Sequence, residues 1–351
     1  MQATVENSSV GAGKPRPLIS VLIKALNEER RIGACLDSVM LAIRGLDAEV
    51  LLVDSLSNDR TVEIARRYPI RIVQFQRIED RGCGAAVQLG FQQARGEYIY
   101  VLDADMELMP GFLALALQRL ADDPGLAGVG GRLVDRCVLT EYDKRRARAA
   151  LQQVADVEVL ELGGGGLYRR NAVDQVGYLA NRWLAAFEEA DLGARLNAAG
   201  WRLLRLHAVA VTHEGHVEGN WAMLRRLWRN GRAQATGAFL RAAWGQPWWR
   251  LACRKQRHVL LVAAIWGLGG LVACILGVVG AGWMLALLAL AAVPVLLLAA
   301  LTLRKRSLRE ASWALATWHM FAAAALLGSL ATPRDPCELI LGRVLSGESA
   351  S

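Results

Sequence analysis

Two aspartates separated by one residue, Asp103 and Asp105, follow a short apolar run, and this arrangement suits divalent-metal chemistry. The run, residues 98–102, is rich in Tyr, Ile and Val, which favours a buried strand over a helix. The carboxylates therefore fall at the C-terminal edge of a strand, where open α/β sheets bind ligands. Two hard oxygen ligands suit Mg²⁺ or Mn²⁺, and such a metal can hold a diphosphate. The same pair also fits a cap before a helix starting near Pro110.

The elements that position these carboxylates alternate between short apolar runs and amphipathic segments, which predicts an α/β domain with a mainly parallel sheet flanked by helices. We predict strands at residues 18–25, 49–55, 70–76, 98–105, 126–134 and 201–211. We predict helices that begin near Asp59 and Pro110 and helices at 84–95, 145–159 and 187–199. Asn27 is placed to cap the helix after the first strand, with Glu28 and Glu29 at its positive end.

The C-terminal part of the chain is hydrophobic enough to enter a membrane. Three windows, residues 259–279, 283–303 and 311–331, contain no Asp, Glu, Lys or Arg. Each has about the 20 residues that a helix needs to cross roughly 30 Å of hydrocarbon. Three such windows in a row favour three transmembrane helices over buried helices of a soluble core.

Lys and Arg residues near these windows predict the orientation. One basic cluster precedes the first window and another separates the second from the third: Arg250, Arg254, Lys255, Arg257; Arg304, Lys305, Arg306, Arg309. Two crossings separate the clusters, so both lie on one side, which the positive-inside rule makes cytoplasmic. We therefore expect a multi-pass protein of the inner (cytoplasmic) membrane, with the N-terminal domain in the cytoplasm and the tail after Thr332 outside.

The remaining composition excludes several classes of protein. The net charge of +8 is concentrated near the membrane segments and no zinc-finger or RNA-binding motif occurs, so nucleic acid is not an expected partner. The six cysteines are scattered without a CxxC pair, which argues against a disulfide framework and a zinc site. Residues 1–17 are polar and lack an apolar core of signal-peptide length, so we expect a disordered tail rather than a leader.

Five motifs in the predicted domain occur in an order that resembles the family 2 glycosyltransferases, which have the GT-A fold. The resemblance runs from Leu18 to around Gly231. The motifs are ISVLIKALNEE, VDSLSNDRT, RGCGAAVQLGFQQARGEYIYVLDAD, GGGGLYRR and FEEADLGARL. The resemblance implies a Rossmann-like GT-A domain that takes a nucleotide-sugar donor.

The donor side is implied by the first three motifs. Asp54 ends a predicted strand, and by resemblance it binds the nucleobase with Asn27 and Glu28 beside it. Arg81 precedes a glycine-flexed turn into a helix, and a cation and a helix N-terminus both favour a diphosphate. A turn or cap role for Asp54 and a solvated surface position for Arg81 remain the alternatives.

The resemblance also implies a metal site. Asp105 is the expected direct ligand, and Asp103 is expected to bind the metal, its water or the donor ribose. His213 ends a predicted strand and is the candidate that completes the Mg²⁺ or Mn²⁺ site, with His216 a weaker candidate. A metal is required because the leaving diphosphate gains negative charge as the sugar–oxygen bond breaks. A purely structural His213 remains the alternative.

Two neighbouring glutamates supply the candidate base. Glu188 and Glu189 stand where the family has its ED pair, and by that alignment Glu189 removes the proton from the acceptor hydroxyl. On a helix Glu188 and Asp191 share a face, while Glu189 points elsewhere. The alternative is a solvated acidic face at the start of the helix.

Several residues depart from the pattern of the family. Lys24 stands where Pro is usual, and Leu26 where an aromatic residue is common. Leu56 and Arg60 replace glycines, and Cys83 replaces a common Lys. These changes cluster on the donor side, so the sequence does not fix the base or the sugar. The QxxRW motif of processive synthases is absent from the sequence, which favours transfer of one sugar per acceptor.

The segment before the first window, residues 221–258, combines five tryptophans with many basic residues. Aromatic rings prefer the headgroup level, and cations meet anionic lipid there, so we predict interfacial helices. An ordinary basic linker is the alternative. The predicted organisation is a tail (1–17), a GT-A domain (18–220), interfacial helices (221–258), three transmembrane helices (259–332) and a C-terminal tail (333–351).

We therefore expect a membrane-anchored, metal-dependent inverting glycosyltransferase that moves a sugar to a lipid or lipid-linked acceptor in cell-envelope or exopolysaccharide biosynthesis. A small soluble acceptor would not require a cleft that is held at the membrane. A polyprenyl-phosphate glycosyl synthase is the alternative in the same class, although its phosphate acceptor needs no base. A membrane-anchored nucleotidyltransferase and an inactive scaffold are the alternatives from other classes.

Overall fold

The computed structural model describes residues 16–215, 219–279, 282–332 and 334–346. Residues 1–15 of the predicted N-terminal tail and His216 lie outside this part of the chain. Within it, an α/β domain is followed by a set of helices, three of them long and apolar. The predicted fold class is confirmed.

The domain is built on a 10-stranded sheet with the order β10-β3-β2-β1-β4-β8-β6-β9-β5, and β7 pairs with β9. The strands are β1 (Ile19–Ala25), β2 (Ala48–Asp54), β3 (Arg71–Phe75), β4 (Tyr98–Asp103), β5 (Met106–Leu108), β6 (Leu126–Asp135), β7 (Val157–Val159), β8 (Gly166–Arg169), β9 (Arg202–His213) and β10 (Gly342–Ser346). The sheet is mixed: β3, β2, β1 and β4 pair in parallel, while β8 runs antiparallel to both β4 and β6.

The helices of the domain are α1 (Ile32–Ala42), α2 (Thr61–Ala65), α3 (Cys83–Gln93), α4 (Phe112–Asp122), α5 (Glu141–Gln152), α6 (Arg170–Gln175) and α7 (Glu188–Ala198). The predicted helix at residues 145–159 is wrong at its C-terminal end, since α5 stops at Gln152 and β7 follows. Asn27 does not cap α1, whose N-cap is Arg31 without a side-chain cap bond. Thr140 instead forms a capping box with Asp143 at the start of α5.

The central strands are buried on both faces, which explains why they read as continuous apolar runs. In β1, Ile19, Val21 and Ile23 belong to one core cluster, and Leu22 belongs to a second cluster on the opposite face. This alternation follows from the two-residue period of a strand. The sheet therefore holds the C-terminal ends of β1, β2 and β4 rigidly at one edge.

A second group of helices follows the domain: α8 (Asn220–Arg229), α9 (Ala235–Ala243), α10 (Trp249–Lys255), α11 (Arg257–Val278), α12 (Trp283–Lys305) and α13 (Leu308–Ser329). By length and composition, α11, α12 and α13 are each able to cross a membrane. The helices α8 to α10 occupy the segment where we predict interfacial helices, and Trp221 on α8 and Trp244 directly after α9 are largely exposed.

The end of the chain returns to the domain. Strand β10 pairs antiparallel with β3, with Arg343 opposite Gln74 and Val344 opposite Val73. Ile340, just before β10, is 2% exposed and belongs to the core cluster of Val73. Residues 334–346 therefore lie on the same side of a membrane as the domain, and the expectation that the tail lies outside is wrong for them.

Candidate active site

Parallel strands bring the first candidate residues to one edge. In the register of the sheet, Ala25 on β1 lies opposite Asp54 on β2, and Lys24 lies opposite Asp103 on β4. Because the carboxyl ends of parallel strands meet at one edge, the turns after β1, β2 and β4 form a common cleft.

The turns after β1 and β2 are fastened to each other. Asn27, with φ 58°, donates its N–H to Ser57 Oγ at 2.9 Å and accepts the Asn58 N–H with its side-chain oxygen at 2.9 Å. The N–H of Glu28 donates to Thr61 Oγ1 at 2.7 Å. Asn27 thus orders the turn after β2, which is a different structural role from the predicted helix cap.

Asp54 is buried at the base of this turn. Its carboxylate accepts the Ser57 N–H at 3.1 Å and the Gln74 amide at 2.7 Å, and it has no exposed surface. Arg81 reaches the same turn, donating to the Ser55 carbonyl at 3.2 Å. The structure therefore brings Asp54 and Arg81 to the same turn, with Asp54 engaged in holding it.

Asp105 and His213 meet beyond the end of β4. Strand β5 pairs with β9 and sets Met106 opposite His213, so the histidine Nε2 lies 3.3 Å from Asp105 Oδ2. On its other side, His213 Nδ1 lies 2.7 Å from Asp135 Oδ1. Arg146 pairs with Asp135 in turn. A histidine held by a carboxylate with its second nitrogen facing another carboxylate is a common metal-ligand arrangement.

Electrostatics around Asp105 also fit a cation. Burial opposes ionisation of Asp105, but hydrogen bonding to His213 and its charge outweigh this, and the pKa of Asp105 lies below its ordinary value. The Asp105 Oδ1 atom is buried and has no hydrogen-bond partner. Burial and the nearby Asp105 raise the pKa of Glu28 to about 7. A divalent cation between Asp105 and His213 would satisfy the unpartnered oxygen and offset the crowded negative charge.

The protein offers only part of a coordination shell. Among the described residues, no group of three or more His, Cys, Asp or Glu side chains is arranged to hold a metal. Asp105 and His213 are candidates for two ligands, and Asp103 pairs with Lys24 at 3.1 Å. A metal bound here would take its remaining ligands from a diphosphate or water, as Mg²⁺ commonly does.

Lys24 joins the two halves of the cleft. Its Nζ lies 3.1 Å from Asp103 Oδ1 and 3.0 Å from Glu188 Oε1. Burial disfavours the ammonium, but Asp103 and Glu188 outweigh it and raise the pKa of Lys24 above its ordinary value. Lys24 is therefore a resident cation between the strand that carries Asp103 and the helix that carries the candidate base.

The two glutamates at the start of α7 have opposite electrostatic environments. Burial opposes ionisation of Glu188, but Lys24 holds its pKa below the ordinary value. Burial and the neighbouring Glu188 raise the pKa of Glu189 to about 8. Lys24 therefore favours the carboxylate form of Glu188, while burial beside Glu188 favours the protonated form of Glu189.

A cavity next to these glutamates completes the site. It is lined by Lys24, Asp103, Glu188 and Glu189 and by glycines from the predicted four-glycine run. Gly165 has φ 96°, and a Cβ there would lie 2.5 Å from Tyr100 Oη, so only glycine fits this wall. The run lets the backbone approach the cavity closely.

Residues 20–177 match the family model described as glycosyl transferase family 2. The chain contains a family 2 glycosyltransferase domain. A solved mannosyltransferase, PcManGT from Pyrobaculum calidifontis in complex with GDP-Man and Mn²⁺, aligns over 89% of this chain and 88% of its own, with a TM-score of 0.57 and 23% identity. The glycosyltransferase domain thus has the GT-A fold.

Two curated relatives match parts of the glycosyltransferase domain. A dolichol-phosphate mannosyltransferase from Pyrococcus furiosus is 29% identical over 120 residues, which is 33% of this chain and 33% of the relative. An undecaprenyl-phosphate 4-deoxy-4-formamido-L-arabinose transferase from Pseudomonas paraeruginosa is 33% identical over 123 residues, 33% of this chain and 36% of the relative. The matched region therefore spans about a third of each of these relatives.

The candidate site also contains residues that sequence reasoning missed. Lys24 is visible in the sequence only as a departure from the family's usual Pro, and nothing local indicates its partners. Asp135 lies behind His213 because β6 and β9 pair, with these two residues opposite each other. Arg232 belongs to the same environment, since Cys83, Glu188 and Asp103 raise its pKa against the effect of burial. Asp191, by contrast, is buried in an ion pair with Arg195 at 2.9 Å.

Proposed function

We propose that this chain is a membrane-anchored, metal-dependent inverting glycosyltransferase that moves one sugar from a nucleotide-sugar to a lipid or lipid-linked acceptor. The observation that carries the proposal is the juxtaposition of two sites across Lys24. Asp103, two residues before the candidate metal ligand Asp105, contacts Lys24 on one side, and Glu188, next to the candidate base Glu189, contacts it on the other. Asp105 lies 3.3 Å from His213. Transfer of a sugar from a diphosphate to a hydroxyl acceptor uses a cation at the leaving group and a base at the acceptor.

The donor would lie over the turns after β1 and β2. Asn27, Glu28 and Asp54 shape that turn for the nucleobase and ribose, and Arg81 lies beside it to meet the diphosphate. The N-terminus of α3, directly after Arg81, adds a partial positive charge at the same place. PcManGT, whose structure contains GDP-Man, supports a nucleotide-sugar in a cleft of this fold.

A divalent metal, Mg²⁺ or Mn²⁺, would be held by Asp105 and His213, and Asp103, which pairs with Lys24, would bind its water or the donor ribose. Such a metal, when bound, neutralises negative charge that develops on the leaving diphosphate. Asp135 fixes the orientation of the His213 ring from behind. The Mn²⁺ in the PcManGT structure supports this assignment.

Glu189 would act as the base toward an acceptor hydroxyl. The hydroxyl oxygen attacks the anomeric carbon, the bond from that carbon to the diphosphate oxygen breaks, and the hydroxyl proton passes to Glu189. Attack from the face opposite the leaving group inverts the anomeric configuration. Glu188, kept ionised by Lys24, raises the proton affinity of Glu189 and so improves it as a base.

The membrane helices support a lipid acceptor. The cleft is connected through α8 to α10 to three long apolar helices, so the glycosyltransferase domain is held close to lipid. We place the domain on the cytoplasmic side of the inner membrane, where the basic residues flanking α11 and α12 favour it and where nucleotide-sugars are available. A role in cell-envelope or exopolysaccharide biosynthesis follows from that location.

A polyprenyl phosphate is the second candidate acceptor. A dolichol-phosphate mannosyltransferase and an undecaprenyl-phosphate 4-deoxy-4-formamido-L-arabinose transferase are among the relatives of the domain, which favours this narrower function. A phosphate acceptor is already an anion and needs no base, so Glu189 would then serve another purpose. The nucleotidyltransferase alternative gains no support from the family match or the relatives.

A donor and acceptor screen tests the proposal. Purified full-length protein in detergent is incubated with single nucleotide-sugars and Mn²⁺, together with undecaprenyl phosphate or with lipid extract depleted of polyprenyl phosphates. Transfer to either lipid supports the glycosyltransferase assignment, and the acceptor that is used chooses between the two candidates. Transfer only to water-soluble acceptors would contradict the proposal of a lipid acceptor. If no donor is bound or hydrolysed, the proposed enzymatic activity is wrong.

A further inference from the structure

The C-terminal segment, residues 334–346, is fastened to the glycosyltransferase domain along its whole length. Arg182 donates to the carbonyls of Glu338 and Leu339, each at 3.1 Å. The N–H of Gln76 donates to the Leu341 carbonyl at 3.1 Å. With Ile340 in the core and β10 in the sheet, this segment is part of the domain. It cannot lie on the opposite side of a membrane from β3.

The connection from α13 to this segment is too short to cross a membrane. Helix α13 ends at Ser329, and the Arg334 guanidinium lies 4.4 Å from the ring centre of Trp183 in the domain. Five residue steps reach at most about 18 Å when fully extended. The hydrocarbon core of a bilayer is about 30 Å thick. Gly328 also packs so closely on the residue before α9 that a Cβ there would lie 1.9 Å from the Gln234 carbonyl oxygen, which places the C-terminal end of α13 on the side of the domain.

The start of α13 lies on that same side. Leu301 near the end of α12 packs with Ala311 and Ala314 of α13 in one buried cluster. Trp313 contacts Trp221 of α8, with ring centres 5.0 Å apart. Because α12 and α13 are separated by only two residues, the beginning of α13 is fixed at the domain end of α12.

The middle and end of α13 also contact elements near the domain. Trp318 stacks on His258, in the first turn of α11, at 4.8 Å. At the C-terminal end, Gly237 of α9 packs so closely that a Cβ there would lie 1.9 Å from the Ala325 carbonyl oxygen. Helix α9 is itself anchored to the domain, where Phe239 stacks on Phe187 at 5.8 Å.

The character of α13 differs from that of α11 and α12. It is the least hydrophobic of the three, and 28% of its apolar window is buried against 11% in each of the others. Its exposed side chains are leucines such as Leu308 and Leu326 and, in the first turn only, Arg309 and Glu310. Its greater burial and lower hydropathy make α13 less suited than α11 and α12 to a span surrounded by lipid.

We propose that α11 and α12 alone span the membrane, as a hairpin, and that α13 lies along the membrane surface on the side of the glycosyltransferase domain. Two crossings return the chain to the side where it started, which permits β10 to complete the sheet. Helix α13 then forms, with α8 and α9, a lipid-facing platform whose partner is the headgroup–acyl boundary of the bilayer. Every contact of α13 described above is satisfied by this topology.

Side-specific cysteine labelling tests this topology without relying on activity. Cys337 is a native, exposed cysteine in the C-terminal segment. Intact spheroplasts and inverted vesicles are treated with a membrane-impermeant maleimide, and modification of Cys337 is read by peptide mass spectrometry. Arg67→Cys marks the domain side, since the Arg67 side chain is 63% exposed. Trp283→Cys marks the hairpin turn, since Trp283 is 73% exposed.

The two topologies give opposite results. If α13 lies on the surface, Cys337 is modified in the same preparation as Arg67→Cys. If α13 spans, Cys337 is modified with Trp283→Cys, and the proposal is wrong. Leu339→Cys, at a position that is 69% exposed, repeats the measurement in the same segment.

If neither Cys337 nor Leu339→Cys is modified, a disulfide engineered between β3 and β10 distinguishes the two topologies. Gln74→Cys and Arg343→Cys lie opposite each other in β3 and β10. Oxidation of the double variant in membranes is expected to give an intramolecular disulfide, detected as a mobility shift that is reversed by reductant. A well-expressed double variant that stays reduced would overturn the proposal.

Discussion

Glu189 and Glu188 are adjacent in sequence, but their surroundings shift their pKa values in opposite directions. Glu189 has its pKa raised to about 8 by burial and by Glu188, while Lys24 keeps Glu188 ionised. A raised pKa means that Glu189 is protonated below about pH 8 and becomes a base only above it. If Glu189 removes the acceptor proton, kcat/KM must increase as the pH rises through this value.

We expect kcat/KM of the wild-type protein to rise between about pH 6 and about pH 9 with an apparent pKa near 8. Glu189→Gln should lower kcat by about 100-fold or more and abolish this limb, with donor affinity retained. Glu188→Gln is the matched control: removing its charge lowers the pKa of Glu189, so the limb should move to lower pH. Activity of Glu189→Gln close to wild type would instead indicate a phosphate acceptor or a different base.

Asp135 is expected to tune metal binding without touching the metal. It holds His213 Nδ1 at 2.7 Å, so Asp135→Asn should loosen the ring and weaken Mn²⁺ binding by about 10–100-fold. The readout is the Mn²⁺ concentration at half-maximal activity and at half-maximal thermal stabilisation. Asp123→Asn, which alters an exposed carboxylate paired with Arg202, should change neither. Equal Mn²⁺ affinity in Asp135→Asn and wild type would contradict the proposed role of His213 as a metal ligand.

Lys24 is expected to be essential because it neutralises two carboxylates at once. In Lys24→Met, Asp103 and Glu188 face each other without the ammonium that now lies 3.1 and 3.0 Å from them. Since a buried carboxylate without its partner becomes harder to ionise, activity should fall by at least about 10-fold, and the fall should be larger at low pH. Lys24→Arg keeps the charge and should recover part of the loss. A Lys24→Met variant with wild-type kinetics would show that the contact is incidental.

At the scale of elements, the sequence predicts the central strands well because each is a short apolar run that ends in a polar turn. The predicted strand at residues 49–55 corresponds to β2 at Ala48–Asp54. As expected, Asp54 ends β2 and Asp103 ends β4 at the same edge of the sheet. Strand β10 was missed because its stability comes from pairing with β3, far away in sequence, rather than from its own residues. The contacts of Lys24 were missed for the same reason, since α7 approaches β1 only in the folded domain.

Strand β10 and the residue before it should contribute measurably to the stability of the domain. Ile340 is 2% exposed among Val53, Phe75 and Leu89. Ile340→Ala should lower the free energy of unfolding by about 2–5 kcal/mol, as for other large-to-small core changes. Leu339→Ala is the neighbouring control, since Leu339 is 69% exposed and its loss should change stability by less than about 0.5 kcal/mol. Thermal unfolding in one detergent measures both, and equal effects would mean that the segment is only loosely attached.

At the scale of the whole molecule, three apolar windows do not by themselves give three crossings. Hydropathy records only whether a helix is able to enter lipid, and α13 meets that criterion by length and composition. Whether it does so depends on where its ends are held. Here the ends are held by α12 on one side and by Trp183 and β3 on the other, through contacts that no window of the sequence contains.

Removing the hairpin of α11 and α12 should distinguish attachment by spanning helices from attachment at the membrane surface. A variant lacking residues 257–306 keeps α8 to α10 and α13 but loses both proposed spans. Wild-type protein should stay in membranes during alkaline carbonate extraction, whereas the variant should be released. The variant should still bind vesicles that contain anionic lipid at low salt and dissociate as salt screens its cations. Replacing Arg225 and Arg229 with glutamine in this variant should weaken that binding further, while neutral vesicles serve as the control surface. Retention of the hairpin-deleted variant during carbonate extraction would show that α13 inserts on its own, because only a spanning helix resists that treatment.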